Sequence, residues 1–412
     1  MVVLAGLVAW RSPWIEPLTD PAAWPGSDFE ILLAAGVAQS RGLDGHDPAV
    51  LDAVGREFGR PTTPFCAAPP LVVAVFGTLG DDLPQAYESW RWVQILAGLV
   101  AVGALGAVAR RAGLSALGAG GLALGAVALG DGLWMSLAMN STNLVALAAM
   151  ALGLLAAVRR RPLLEGLALA VAVVAKTSPA LLVLVALFAG RRATVLASGA
   201  AMAGLVALGV GWAGWDVHVS WWQNVLPALG YAPSLPPGHF DNGLHQWNLA
   251  PHGLLARAAF VGELPRTLVA LGAWAVTSLV VVQVGLAVRD RRGREQAEGG
   301  AIQARCHEYG LGVAGSLLIS SVTWPHHLVF AALPALALAL GARRGGWRHP
   351  AWVLGALAWL ALTQPLGTFG AEGEQPADVL VYAVGSLLLV MALAARPRGA
   401  PASARSAAET AP

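Results

Sequence analysis

Lysine is almost missing from this sequence. Of its 26 cationic residues one is lysine, Lys176, and the other 25 are arginine. Cysteine is as scarce. Cys66 and Cys306 stand far apart, on opposite faces of the topology derived below, which leaves no disulfide framework and no cysteine metal site. Charge of either sign is thin, at 12% of residues against 56% hydrophobic, with a mean hydropathy of +0.62. A soluble core does not need that much apolar surface, so an ordinary soluble domain is excluded. The net charge of +2 comes with arginines scattered through loops rather than gathered in a stripe, which gives no footprint for nucleic acid. No GxGxxG, Walker loop, zinc spacing or serine elbow is present.

Apolar runs recur along the whole chain. They predict an all-α, polytopic transmembrane helical bundle of about 10–12 membrane helices. Residues 1–395 read as one integral-membrane domain and residues 396–412, rich in Ala, Pro, Ser and Arg, as a disordered cytoplasmic tail. Met1–Trp10 is too short to span and lacks a basic flank. It reads as the end of a first helix rather than a signal peptide. Six arginine clusters, at Arg110-Arg111, Arg159 to Arg161, Arg191-Arg192, Arg289 to Arg294, Arg343 to Arg348 and Arg396 to Arg405, mark the cytoplasmic face. Pairs of runs join most of them. Two places fit less well. Pro162–Gly190 holds two apolar stretches of about 13 and 11 residues, each reaching about 20 Å, short of the ~30 Å core. We expect a broken hairpin that stops inside the membrane and lines a cavity. Two passes within 64–109 would put Arg110 on the side of Asp28. Either the Pro-rich 64–80 run is re-entrant or Arg110-Arg111 breaks the charge rule; the proline pair, which commonly opens a helix, favours the exception.

The stretch Trp24–Pro70 is polar and acid-bearing between apolar runs, and reads as the first extracytoplasmic loop. Within it, Ser27-Asp28-Phe29-Glu30 precedes apolar residues that suit an amphipathic helix on the membrane surface, begun by Asp28. Asp28 is then a helix cap, a reactive carboxylate, or both, and Asp20, Glu30, Asp44, Asp47 and Glu57 compete for the reactive role. Seven of nine histidines fall in predicted outer loops, and His326-His327 is the notable pair, directly after Trp324-Pro325 in a very short turn. Lys176 sits inside the broken hairpin, where a charge costs at least ~2.5–3.5 kcal/mol unless it meets water or a partner. An intramembrane cation there suits a phosphate at the lipid interface, or snorkels to a nearby surface. Arg56 and Arg60, just before the Pro-rich entry, could meet an anion or simply be solvated. Asn143 ends a polar turn, Asn140-Ser141-Thr142-Asn143, where amides bind sugar hydroxyls or hold neighbouring helices. The long loop after Trp212 mixes Trp222 with His245 and several amides, a combination suited to carbohydrate and equally to the membrane interface.

In their order these features resemble glycosyltransferase family 87 of the GT-C superfamily, integral-membrane mannosyltransferases that use polyprenyl-phosphate-mannose. The matching residues are Asp28 with Ala34-Ala35-Gly36, Pro69-Pro70, Asn143, Ala175-Lys176-Thr177-Ser178-Pro179, Trp221-Trp222-Gln223-Asn224, and Ser320 to His327. The last of these is close to the family's Ser-Pro-x-Ser-Trp-x-His-His. The family's Gly-Gln before the asparagine is replaced by Asn140-Ser141-Thr142, and its Tyr after the first-loop aspartate is absent.

The resemblance implies a GT-C bundle in the plasma membrane with an extracytoplasmic active site. Asp28 would be the catalytic base. Lys176, His326, His327 and Arg60 would bind the donor phosphate, and Asn143, Trp324, Trp222 and His245 the sugar or acceptor. The donor would be polyprenyl-phosphate-mannose, the acceptor a glycolipid or lipoglycan, and the outcome inverting. No cofactor is expected, and a divalent metal stays open. Within the enzymes, arabinofuranose or another polyprenyl-phosphate sugar is the alternative. A lipid or sugar transporter is the alternative from another class, since a lysine in a broken helix suits a transport site. Against it, there is no internal repeat and the polar groups gather on one face.

Overall fold

The computed structural model describes residues 28–59, 66–128, 130–226, 265–298, 301–320 and 325–345, with isolated positions beyond them. Among the described residues every regular element is helical, as backbone in lipid requires. Among the described residues three helices are long and apolar enough to cross a membrane: α4 (Leu83–Arg111), α10 (Arg192–Ala213) and, within α12 (Arg266–Glu298), the window Leu271–Arg289. The pair α5 (Ala116–Ala128) and α6 (Asp131–Ala138), bent by 60°, is a broken span, which would be a fourth, or a re-entrant loop. Only 17% of the apolar window of α10 is buried against protein. Its outward leucines, such as Leu196 and Leu208, must therefore face hydrocarbon. This is a polytopic helical membrane protein.

Among the described residues of the first loop and the run after it there are three short helices, α1 (Asp28–Ser40), α2 (Pro48–Glu57) and α3 (Pro70–Gly77). The surface helix expected to start at Asp28 is instead buried, with nine of its 13 residues inside. From Ile31 to Ala38 its residues are apolar or small on every face, so no polar stripe exists to lie in water. The amphipathic helix of this loop is α2. Asp47 caps it by accepting from the Ala49 N–H, Pro48 starts it, Leu51 and Val54 are buried, and Arg56 and Glu57 face outward. The proline pair opens α3 as expected, yet α3 has eight residues, about 12 Å. The 64–80 run is thus not a pass. α4 alone carries the chain from this loop to Arg110-Arg111, and the arginine rule needs no exception.

The expected broken hairpin is present as α8 (Pro162–Ala175), an extended Lys176, a turn through Thr177-Ser178-Pro179, and α9 (Ala180–Phe188). Its two ends meet: Arg191, just after α9, pairs with Glu165 in the first turn of α8. Lys176 therefore stands at the tip. α7 (Asn143–Val158) packs along α4 and α8, and α13 (Ala301–Ile319) along α14 (Ala332–Gly345). These helices share one core, with Leu105, Leu147, Leu154, Leu169, Val185, Leu317 and Leu333 inside. A second cluster, of Phe29, Leu33, Leu51, Val73, Phe76, Tyr87 and Trp90, fixes the first loop onto α4.

Candidate active site

Phe29 sets the place of Asp28. It is fully buried, edge-on to Tyr87 at 5.2 Å and tilted to Phe76 at 5.8 Å, with Phe76 against Trp90 at 4.4 Å. Such aromatic pairs contribute about 0.5–1.5 kcal/mol each beyond their buried area. The close approach of α1 to α3 depends on Gly36 and Gly77. A Cβ on Gly36 would stand 2.4 Å from the Gly77 nitrogen, and one on Gly77 would stand 2.6 Å from the Gly36 oxygen.

Opposite Asp28 lies the 3-10 turn Pro325–Ala331. His326 Nε2 is 3.3 Å from Asp28 Oδ2. His326 and His327 are both buried, their rings edge to face at 4.6 Å, and His327 stacks on Phe330. The turn comes this close because α6 packs on it through Gly132, where a Cβ would meet the Val329 nitrogen at 2.2 Å. Lys176 reaches the same place from the hairpin tip, near enough for its charge to act on Asp28. Burial pushes the Asp28 carboxyl up, but the His326 ring and the Lys176 charge more than offset this and hold it below the ordinary carboxylate value. Asp28 is thus an anion at neutral pH, beside the His326 imidazole and the Lys176 amine.

The other expected site residues are distributed differently. Asn143 is fully buried at the start of α7, its amide nitrogen donating to Ser136 Oγ at 3.4 Å. Trp222 is 66% exposed on the π-helical turn Trp221–Val225, which follows α11 (Trp215–Ser220). Arg60, Trp324 and His245 lie outside the described residues. Among the described residues no group of His, Cys, Asp and Glu is arranged to hold a metal ion. Cys66, buried near Asp28, has its thiol pushed up to about 12 by burial and is no nucleophile at neutral pH.

Ser136 has no part in the expectations drawn from the sequence, and Asp44 enters them only as a competitor of Asp28. Ser136, a lone serine in the apolar α6, donates to the His326 carbonyl at 2.9 Å. In the first loop, Asp44 accepts from Ser220 Oγ at 2.5 Å and lies 3.5 Å from His46 Nδ1, while His46 Nε2 meets the Ala68 carbonyl at 2.9 Å. This cluster ties the loop to α11. Burial pushes the Asp44 carboxyl up, but His46 and the Ser220 hydroxyl together more than offset this and hold it at about 2. A hydroxyl within an apolar helix is the only signal that could have pointed to Ser136.

In comparisons with known proteins, residues 64–307 match the model of Glycosyltransferase family 87, more than half of the chain. Asn143 and Lys176 fall within the match; Asp28 and the histidine pair fall outside it. No curated protein and no solved structure matches the chain.

Proposed function

The chain belongs to glycosyltransferase family 87, and on that premise we propose that it transfers a mannosyl residue from a polyprenyl-phosphate donor to a glycolipid or lipoglycan. The reaction takes place on the extracytoplasmic face of the plasma membrane. The observation that carries this reading is the meeting of the Asp28 carboxylate with the His326 imidazole and the Lys176 charge. A displacement at the anomeric carbon needs a base for the acceptor hydroxyl and positive charge for the departing phosphate. Asp28 is held as an anion and takes the hydroxyl proton as the acceptor oxygen bonds to the anomeric carbon. The carbon–oxygen bond to phosphate breaks on the far side of the sugar, so the configuration inverts and a β-linked donor gives an α-product. Polyprenyl phosphate leaves as an anion. Lys176, His326 and His327 meet its charge with an ammonium group and ring N–H donors.

The test is transfer of labelled mannose from polyprenyl-phosphate-mannose to lipids in membranes expressing the chain. Wild type gives a new labelled glycolipid. Asp28→Asn, which keeps shape and removes the base, lowers the rate by about 10²–10⁴-fold with donor binding retained. Transfer by Asp28→Asn at the wild-type rate refutes the assignment. A product formed only from a pentose donor moves the reading to another sugar on the same mechanism.

A further inference from the structure

Asp28, Lys176 and His326 come from three separate parts of the chain: the start of α1, the hairpin tip and the 3-10 turn. Each is held at its own peptide by one short segment, Ser136–Thr142. The Phe29 N–H, directly after Asp28, donates to the Met139 carbonyl at 3.3 Å. Thr142 Oγ1 donates to the Ala175 carbonyl, on the peptide that joins Ala175 to Lys176, at 3.0 Å. Ser136 Oγ donates to the carbonyl of His326 itself at 2.9 Å. We propose that Ser136 and Thr142 are positioning residues that set the mutual geometry of the base, the cation and the imidazole, with the segment from Ser136 through the Met139–Thr142 turn as the common reference.

The turn is suited to that task because it is fixed from a fourth side. Trp90 Nε1 donates to the Ser141 carbonyl at 3.3 Å, and Asn140 Nδ2 donates to the Tyr87 carbonyl at 2.9 Å, both from α4. Asn140 adopts φ +48, a conformation asparagine tolerates better than other side chains of its size. All four turn residues from Asn140 to Asn143 are buried, so little thermal drift enters from solvent. The Ala175 carbonyl belongs to the last turn of α8 and has no partner further along the helix. Thr142 supplies one, and in doing so fixes where the chain leaves the helix and where Lys176 starts. The assignment rests on the catalytic roles proposed above, and its test separates the two.

Ser136→Ala and Thr142→Val remove one hydroxyl each with little change of volume. In labelled-mannose transfer each lowers kcat by about tenfold or more. Thr142→Ser, which keeps the donor, recovers most of the loss. In a His326→Gln background Ser136→Ala costs less than about twofold, since the group it positions is gone. An equal loss in both backgrounds, or no recovery by Thr142→Ser, overturns the proposal and leaves these as packing residues. If wild-type membranes transfer no sugar, the proposed function falls while the positioning claim is still decided without substrate. In purified protein labelled with ¹⁵N-histidine, Ser136→Ala must move the ring resonances of His326 and leave those of His46 in place. Unmoved His326 resonances overturn it.

Discussion

Gly36→Ala tests whether the contact of α1 with α3 places the base. The added Cβ would lie 2.4 Å from the Gly77 nitrogen and 2.8 Å from both the Phe76 carbonyl carbon and the Val73 oxygen. All three are backbone atoms, so no side chain can swing aside. Ordinary Cβ contacts begin at 3.4 Å, so α1 must retreat by about 1 Å, a strain of about 1–3 kcal/mol for overpacking. The retreat carries Asp28 with it. The 3.3 Å approach of His326 Nε2 to Asp28 opens beyond contact, and the Phe29 N–H to Met139 carbonyl bond, already 3.3 Å, is lost. A 1 Å misplacement of a reacting group costs about 10²-fold in rate. The expected result is a folded protein, modestly less heat-stable in detergent, with sugar transfer about 100-fold slower. Gly103→Ala in α4 is the control: nothing lies within 4 Å of its Cβ position, so the rate stays at the wild-type value and stability stays level or rises slightly, alanine being the better helix former. Wild-type transfer by Gly36→Ala, with unaltered thermal unfolding, would show that the glycine crossing does not set the position of Asp28.

Two further predictions concern pH. The Lys176 charge helps hold Asp28 below the ordinary carboxylate value, so Asp28 stays ionised from neutrality down past its usual ~3.9. Lys176→Met therefore moves the acid limb of kcat/KM toward higher pH, besides weakening donor binding; an unmoved limb in a pH–rate series would separate Lys176 from the base. Asp44 has its folded value depressed to about 2 against ~3.9 unfolded. It adds stability above pH ~4, and that stability is lost as pH falls from ~4 toward 2. Asp44→Asn removes this acid-dependent part, so its detergent-phase unfolding temperature falls less than that of wild type across that window. Parallel curves for the two proteins would refute the contribution.

The fold class was legible because lipid leaves few choices: apolar runs and arginine clusters mark spans and ends. The hairpin break was legible from length alone, since two runs of about 20 Å cannot each cross. Asp28, Lys176 and the histidine pair stood out as polar groups where polarity is costly. The rest depended on contacts between distant residues. The sequence of α1, with small residues at Ala34, Ala35 and Gly36, has no periodicity that tells burial on all sides from a surface position. The pairing of Gly36 with Gly77 is set by packing between two helices. Conversely, the pattern of α2, with Leu51 and Val54 inward and Arg56 and Glu57 outward, was readable, and attention to Asp28 drew the amphipathic assignment to the wrong helix. The 64–80 run has the composition of a span and too few helical residues, because Gly80, at φ +85, and the cap Asp82 end one helix and start the next.

The hairpin shows how the polar clusters at its two ends divide their work. At its tip, the break at Lys176 to Pro179 leaves backbone groups without helical partners, which is costly in hydrocarbon and tolerable in a polar cavity. That same break frees Lys176 to meet Asp28. At its other end, the ends of α8 and α9 are closed by Arg191 between Glu165 and Glu308, with Arg191 2.9 Å from Glu308 Oε2. Thr194 Oγ1 and Tyr309 Oη both donate to Glu165, at 2.9 and 3.1 Å. All of these side chains are nearly or fully buried, so the carboxylates are needed to offset the buried guanidinium. Removing one partner of such a pair costs about 3 kcal/mol or more. Glu165→Gln is therefore expected to lower the unfolding temperature in detergent clearly while kcat at permissive temperature stays within about twofold of wild type. The clamp lies a full α8 length, about 20 Å, from Lys176, and touches none of the site's groups. Measuring both quantities on the one variant separates the roles. A loss of kcat without a loss of heat stability would mean that the far end of the hairpin sets the position of its tip, and that the clamp belongs to the site.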